Sequence, residues 1–469
     1  MSTLNLSIRN LLRNKRRSVV AFAAISVGSA AILLFGGYSA NIQRSMETAY
    51  VRTGGHLQIQ HRDFQAFGGG NPTAYGMADY QGLINALRTD AELARMTTLV
   101  TPTLQFGGIA GNYSAGVSRT VMGIGVVATD QTRLREWNGY QLPLIEPKSA
   151  LDGSPSDSAV LGLGLARVLQ LCSALSVQGC PSPVPEPDSG MGTDLPSDIA
   201  RLSADEAKRG AKINGSNEPA KTRVELLATG PRGAPNVAAL AVVSAEQQGF
   251  KELDDIFLRV HLAQGQRLIY GGGKLKATAI VVQLHRSVDV VGARERITSI
   301  IGAASYPQPL AVLDFREINP FFVQTINLFS TIFGFIFSLI GAIVLFTVMT
   351  TMNAAVVERT VEIGTLRAIG LRRGGVRSLF ASEGFLLGAS GSLAGICVAL
   401  VVAAVVNSLG LTWLPPGSAA PLPLILRVWG ESGLILGTAL GLLAVAVVSS
   451  WWPAHHASKT SIVEALRHV

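Results

Sequence analysis

Four apolar stretches, each long enough to cross a lipid bilayer, constrain this 469-residue chain more than any other feature. A helix needs about 20 apolar residues to span the hydrocarbon core, and we place the four spans at residues 19–39, 321–352, 379–409 and 430–452. Charged residues make up only 15% of the chain, against about 25% in soluble domains, which argues against a soluble enzyme and against a disordered chain. The first apolar run exceeds the roughly 7–15 residues of a signal peptide, which favours an uncleaved anchor over a cleaved leader. The sequence therefore predicts a membrane α-helical protein with four transmembrane helices per chain.

The basic residues predict the orientation of these spans. They precede the first span (Arg9, Arg13, Lys15, Arg16, Arg17), separate the second from the third (Arg359, Arg367, Arg372, Arg373, Arg377) and follow the fourth (Lys459, Arg467). Because short loops rich in Lys and Arg stay in the cytoplasm, residues 1–18, 353–378 and 453–469 are expected inside, and residues 40–320 and 410–429 outside. The net charge of +8 is thus a topology signal, and we expect membrane lipid but no nucleic acid as a partner.

Residues 40–320 are predicted to form a large extracytoplasmic α+β domain, because strand-like and helix-like runs alternate there. The strand-like runs cover residues 56–60, 119–127, 224–229, 255–262 and 276–285. The helix-like runs cover residues 78–88, 158–171 and 290–302. A stretch rich in Pro, Ser and Gly at about 172–222 indicates a loop insertion.

Two cysteines lie at the start of this insertion. In an oxidising compartment, Cys172 and Cys180 would close a small disulfide loop, and two free thiols are the alternative. No His or further Cys lies near them in the sequence, so we expect no metal site there.

Polar and small residues inside the spans indicate helix contacts. Glu383, near the cytoplasmic start of the third span, is costly in lipid and should face a partner or water, or extend to the interface. Glycines spaced by four predict close helix packing, unless they reflect only the general enrichment of glycine in membrane helices. They are Gly384/Gly388, Gly391/Gly395 and Gly433/Gly437/Gly441.

The sequence lacks the motifs of the common enzyme classes. No Walker-type phosphate loop, HExxH, GxSxG or paired CxxC motif occurs in it. The acids outside the membrane have no spacing that identifies an acid/base pair. We therefore expect this chain to have no catalytic residues and to bind no metal or cofactor itself.

The loop between the second and third spans carries the most informative pattern. Residues 353–384 read NAAVVERTVEIGTLRAIGLRRGGVRSLFASEG, which predicts a short helix that ends at Gly370. One edge of that helix would be apolar (Val357, Val361, Leu366, Ile369) and its other side charged (Glu358, Arg359, Arg367). Such a helix suits docking into a groove on another protein, and it equally suits lying on anionic headgroups.

Three segments together resemble one protein family. ERTVEIGTLRAIGLRRGGVRSLFASEGFLLG, which starts at Glu358, is similar to the signature of the MacB/LolE/FtsX family of ABC-transporter permeases. The closing PAHHASKTSIVEALR, from Pro453 to Arg467, and the opening SIRNLLRNKRRS, from Ser7 to Ser18, resemble that family's two ends. The order of one span, a large outer domain and three further spans agrees with the family as well.

The resemblance implies a permease of the bacterial inner membrane whose large domain lies in the periplasm. It implies a second permease, identical or paralogous, and a separate ATP-binding subunit that holds ATP and Mg and hydrolyses the nucleotide. Motion relayed from that subunit would let the outer domain extract or export a lipoprotein or another amphipathic substrate, with a periplasmic carrier or adaptor as a further partner. The positions implied for the ATPase-coupling helix are Glu358, Arg359, Glu362, Ile363, Gly364, Leu366, Arg367, Ala368 and Gly370.

Two alternative functions stay open within the resemblance. One is a signalling or scaffold permease that regulates an envelope enzyme, and the other is a permease for drug or macrolide efflux. The lipoprotein-releasing type fits best by the size of the outer domain. The insertion near 172–222 departs from what that type leads us to expect.

Overall fold

The structure is a computed structural model that describes residues 3–13, 15–142, 148–179, 222–231, 233–249, 251–303, 306–413 and 422–459. The chain divides into two compact units. The described residues of the membrane unit are 3–13, 15–46, 321–413 and 422–459, and the described residues of the sheet unit lie between 47 and 320.

The secondary structure of the described residues is given in chain order. The helices are α1 (Thr3–Arg13), α2 (Lys15–Gly54), α3 (Phe64–Phe67), α4 (Tyr80–Thr89), α5 (Leu93–Met96), α6 (Ala128–Arg135), α7 (Leu163–Val168), α8 (Cys172–Leu175), α9 (Lys251–Asp254), α10 (Leu262–Tyr270), α11 (Val290–Ala303), α12 (Phe315–Ile318), α13 (Pro320–Glu358), α14 (Thr360–Ala368), α15 (Arg373–Ser408) and α16 (Ser432–Lys459). The strands are β1 (Leu57–His61), β2 (Thr97–Asn112), β3 (Val117–Val126), β4 (Ser158–Gly162), β5 (Arg223–Thr229), β6 (Pro235–Glu246), β7 (Phe257–His261), β8 (Ala279–Leu284), β9 (Leu310–Asp314), β10 (Thr412–Trp413) and β11 (Leu422–Pro423).

Four of the described helices, α2, α13, α15 and α16, are long and apolar enough to cross a membrane. Each of these helices contains one of the spans predicted from sequence, apart from at most two residues at one end of the span. All four continue into polar sequence on at least one side, because backbone hydrogen bonding extends a helix past the apolar stretch that defines the span. The predicted four-helix membrane protein is confirmed.

The glycines of α15 bring two neighbouring helices close to it. A Cβ added at Gly395 would lie 2.5 Å from the backbone oxygen of Ser26 in α2, and one added at Gly384 would lie 3.0 Å from the backbone oxygen of Ala446 in α16. Only glycine permits backbones this close. The spacing of four thus serves packing within the chain at α15, whereas a Cβ at Gly433 of α16 would meet no described atom within 4 Å.

The sheet unit is built on a mixed sheet of nine described strands in the order β3-β7-β4-β6-β5-β2-β8-β1-β9. The long strand β2 belongs to two parts of it: residues 97–103 pair with β8, and residues 103–112 pair with β3. Because β3 also begins the strand order, the six strands from β3 to β2 close into a ring. The β3–β7 and β4–β6 pairs are parallel, and the other pairs of this sheet are antiparallel.

Two apolar cores stabilise the two parts of this sheet. Leu104 and Phe106 of β2 are fully buried in the core of the ring, together with Leu258 of β7. Leu87 of α4 and Ile297 of α11 are buried against the strands β1 and β8 of the open part. Strands covered by helices in this way form an α+β domain, so the predicted fold class of residues 40–320 is also confirmed.

One predicted helix is wrong in part, and two long strands, β2 and β6, have no counterpart among the predicted runs. Residues 158–171 were expected to be a single helix, but residues 158–162 form β4, which is buried along its whole length between β6 and β7. A continuous buried apolar run lacks the alternation that distinguishes a strand from a helix. In β2, Pro102 and three glycines interrupt the strand pattern, and these residue types are typical of loops.

The insertion is described only at its start. Cys172 begins α8 and is disulfide-bonded. Cys180 and the following residues up to 221 lie outside the described part of the chain. The pairing of Cys172 with Cys180 therefore stays a prediction.

Candidate functional site

The short helix predicted between the second and third spans is α14. Arg359 alone separates it from α13, and its backbone angles (φ −107°, ψ 15°) interrupt the helix. At the other end Gly370 has a φ of +110°, which residues with a side chain rarely adopt, and α15 begins three residues later. The segment is thus a separate short helix with a backbone break at each end.

An apolar edge runs along this segment. Its members are Val357, Val361, Leu366 and Ile369, and their side chains are exposed by 70%, 42%, 38% and 79%. All four side chains are therefore exposed, and their joint role as one edge stays a prediction. Grouped apolar side chains that remain exposed outside a lipid-facing span are typical of an interaction surface, not of a core.

The two glutamates of the segment form ion pairs with the N-terminal residues. Glu358 lies 2.7 Å from Arg17 of α2, and Glu362 pairs with Arg13 of α1. All four side chains are about half exposed, so each pair contributes roughly 0–1 kcal/mol to stability. The pairs tie the segment to the start of the chain without locking it there.

A buried polar contact lies at the break between α13 and α14. Arg359 Nη1 donates to Glu383 Oε1 of α15 at 3.0 Å, and Arg359 Nη2 donates to the backbone oxygen of Asn10 in α1 at 2.9 Å. Asn10 Nδ2 closes the triangle by donating to Glu383 Oε1 at 2.8 Å. The side chains of Arg359 and Glu383 are only 7% and 2% exposed. Glu383 therefore faces a partner, as its position in the span predicts.

A cavity of about 20 Å³ borders this contact, which is room for about one water molecule. Its lining is Leu11, Arg17, Ser18, Thr351, Met352, Ala355, Arg359, Glu383 and Leu387. The polar groups give such a water hydrogen-bond partners, and the cavity is too small for a cargo molecule.

The residues implied for the coupling helix do not share one surface. The exposed ones are Glu358, Glu362, Leu366, Ala368 and Gly370, and Arg367 is half-buried. Arg359, Ile363 and Gly364 are buried. The sequence places Arg359 on the charged side of the helix, opposite the apolar edge, and the structure shows that its side chain is buried. Its position at the helix break turns it inward, where Glu383 balances its charge.

Asn10, Arg13 and Arg17 were not among the predicted site residues. Their contacts lie about 350 or more positions away in the sequence, and the two arginines served there only to predict orientation. One signal could have revealed them, because Arg13 and Arg17 are spaced by four residues, as are their partners Glu358 and Glu362. Among the described residues, no group of three or more His, Cys, Asp or Glu side chains could hold a metal ion.

Comparison with known proteins places this site in a recognised sequence region. Residues 331–462 match the family described as FtsX-like permease C-terminal. The chain is 28% identical over 199 residues to the macrolide export ATP-binding/permease protein MacB of Sodalis glossinidius, which covers 41% of this chain and 28% of MacB. It is 28% identical over 252 residues to the lipoprotein-releasing system transmembrane protein LolC of Neisseria meningitidis, which covers 50% of this chain and 56% of LolC. The chain thus spans about half or less of the length of these relatives.

A solved structure of similar extent was found by comparison as well. The periplasmic region of MacB from Actinobacillus actinomycetemcomitans aligns with 59% of this chain and 95% of its own length, at 14% identity and a TM-score of 0.30. At that score the likeness does not bear on the fold, which is established by the four apolar helices and the mixed sheet described above.

Proposed function

We propose that this chain, which belongs to the MacB/LolE/FtsX family of ABC-transporter permeases, is the membrane subunit of an ATP-driven machine. In this proposal the ATPase of the machine docks on α14. The observation that carries the proposal is the apolar edge, four exposed apolar side chains of the 357–370 segment between two membrane spans, of which Val361 and Leu366 lie in α14 itself. In this proposal ATP and Mg are held by the separate ATP-binding subunit, and this chain hydrolyses nothing.

The proposed docking uses the apolar edge more than the charges. Glu358 and Glu362 already have arginine partners within the chain, whereas Val357 and Ile369 are the most exposed members of the edge. Burying an apolar side chain in a partner's groove removes it from water and stabilises the complex in proportion to the area covered. Arg367, half-buried on the same helix, adds charge at the rim of this surface.

The proposed work is mechanical. Nucleotide shifts the complex between two conformations only if it binds one of them more tightly, and the ATPase passes that difference to α14. The chain relays the motion to its extracytoplasmic domain, where a lipoprotein or another amphipathic molecule is extracted or exported. The likeness to LolC supports this cargo class, and the likeness to MacB supports drug efflux as a second candidate. We place the complex in the bacterial inner membrane, with a second permease and a periplasmic carrier or adaptor as further partners.

Affinity purification of the full chain from its native membrane tests the proposed partner. We expect an ATP-binding subunit to co-purify and to be identified by mass spectrometry. Recovery of the intact chain without any such subunit, or labelling of residues 357–370 from the outer face of the membrane, would overturn the proposal.

A matched pair of variants tests the docking surface. Ile369→Asp places a charge on the apolar edge and should weaken binding of the ATPase by roughly 5- to 30-fold, which corresponds to about 1–2 kcal/mol. Ser378→Asp is the control, because Ser378 is exposed near the start of α15 but lies outside the 357–370 segment. Equal binding by both variants and the wild type would show that the edge is not the docking surface.

A further inference from the structure

The break at Arg359 raises the question of which helix α14 moves with. α14 follows α13 in the chain, but its backbone is interrupted there by a residue outside the helical conformation. A push on α14 could therefore be absorbed at the break. To pass the push on, α14 or the break itself needs a contact with another helix.

Such contacts join α14 to α15 and α1. At the break, the Arg359 guanidinium bonds Glu383 of α15 and the Asn10 carbonyl of α1 through separate nitrogens. Within α14, Ile363 lies in one apolar cluster with Val376 and Phe380 of α15, and the same cluster includes Met352 of α13, so the directional polar contacts are those of Arg359. The break is thus fastened sideways, to helices that are distant from it in sequence.

α1 and α15 are also held to each other. Ser7 of α1 is fully buried, and its Oγ lies 2.6 Å from Ser382 Oγ and 3.4 Å from the backbone oxygen of Leu379. Together with the Asn10–Glu383 hydrogen bond, these contacts hold the Ser7–Asn10 turn of α1 against the start of α15 as one packed group. Arg359 is the charged residue that connects this group to the break.

An ion pair is an unusual choice for a contact that only stabilises. Buried charges lose their hydration, and well-packed apolar residues of similar size often stabilise a protein as much or more. What an ion pair with defined hydrogen bonds adds is a fixed relative position, because only one arrangement satisfies both charges. The planar guanidinium, which reaches two acceptors at once, favours that role.

We propose that Arg359 and Glu383 are positioning residues that fasten α14 to α15 and α1, so that displacement of α14 is passed to the third span and not absorbed at the break. The inference rests on the proposed function, because it assigns the path by which a docked ATPase moves the chain. α14 and the start of α15 then move as one body relative to α13.

Distances between spin labels in the reconstituted complex with its ATPase test this path. Labels are placed at three exposed positions, Thr365 in α14, Phe385 in α15 and Asn353 in α13, with Cys397 replaced by Ala. When ADP and vanadate are added, we expect the 365–385 distance to stay constant and the 365–353 distance to shift by about 1–2 Å or more. A 365–385 shift as large as the 365–353 shift would overturn the proposal.

Two kinds of variant separate positioning from stability. The double variant Arg359→Met/Glu383→Leu removes both buried charges, so it should fold and bind the ATPase, but its 365–385 distance should broaden and the nucleotide-driven shift of α15 should be lost. Arg359→Lys keeps the charge and loses the planar fork, and we expect a partial loss. A double variant whose distances match the wild type in every state would show that the pair does not position α14.

The exposed pair provides the control, because Arg13→Gln/Glu362→Gln should leave both distances unchanged. A loss in this control as large as in the buried double variant would also contradict the proposal. Failure of the proposed function looks different. In that case the wild-type chain itself would retain no ATPase and show no nucleotide-driven shift, whereas failure of the positioning role alone leaves the wild type active and the double variant equal to it.

Discussion

The α14 segment reverses the usual distribution of residues at certain positions on each side, although Glu358 and Glu362 are exposed and Ile363 is buried in the usual way. Its exposed edge is apolar, with Ile369 79% exposed, while the arginine at its start is buried with a glutamate. Elsewhere in proteins charged side chains face water and apolar ones avoid it. The reversal teaches that the two sides serve different contacts: the outward side is left for a partner that covers it, and the inward side fixes the segment within the chain.

The largest expected effect comes from breaking the inward contact on one side only. Glu383→Ala leaves the Arg359 guanidinium buried without a counter-charge, and we expect the folded state to lose about 3–5 kcal/mol. The measurement is thermal unfolding of the purified chain in lipid nanodiscs. The double variant Arg359→Met/Glu383→Leu is the comparison and should lie within about 1–2 kcal/mol of the wild type. A single variant as stable as the wild type would show that the pair is not buried as described.

His56 in the sheet unit sharpens the comparison, because it is buried and forms no ion pair with any residue that the structure describes. Its Nδ1 accepts from the Leu284 backbone nitrogen at 3.0 Å, its Nε2 lies 3.2 Å from Ser287 Oγ, and its ring meets Trp137 edge to face. Burial lowers the pKa of His56 to about 4, and Asp289 opposes that shift only in part. The histidine is therefore neutral in the folded protein at neutral pH.

The lowered pKa of His56 predicts an acid-sensitive sheet unit. Between about pH 6.5 and pH 4 the unfolded chain takes up a proton at this position and the folded chain does not. Stability should therefore fall as the pH falls through that window, by about 3 kcal/mol from this group at its lower end. Unfolding of the full chain by denaturant at pH 7, 6, 5 and 4 measures it. His56→Gln should remove this part of the pH dependence, and an unchanged profile in that variant would assign the acid sensitivity to other groups.

The sequence predicted long elements better than short ones, because a pattern that extends over many residues has fewer interpretations. The four spans were predictable because about 20 consecutive apolar residues admit one reading. The outline of α14 was predictable from its apolar spacing and from Gly370. The strand β4 was not, because a buried apolar run of five residues carries no period that separates a strand from a helix.

The candidate site was predictable in its position but not in its contacts. The loop that holds α14 followed from the span pattern and the family signature. That Arg359 points inward did not, because the partners of a side chain at a helix break depend on helices far away in sequence. Asn10 lies 349 positions from Arg359 and 373 from Glu383. A single sequence supplies charge and spacing, and neither fixes which opposite charge a residue meets after folding.

The exposed pairs of the same segment should show the smallest effect. Glu362→Gln removes one carboxylate from its pair with Arg13, and we expect stability to change by less than about 1 kcal/mol, because both side chains are about half exposed and solvent screens their charges. The same thermal unfolding assay measures the change at low and at high salt. The small effect should shrink further at high salt, whereas the loss in Glu383→Ala should persist, since a buried pair is screened much less. If Glu362→Gln destabilised the chain as much as Glu383→Ala, the distinction between an outward side left for a partner and an inward side that fixes the segment would fail.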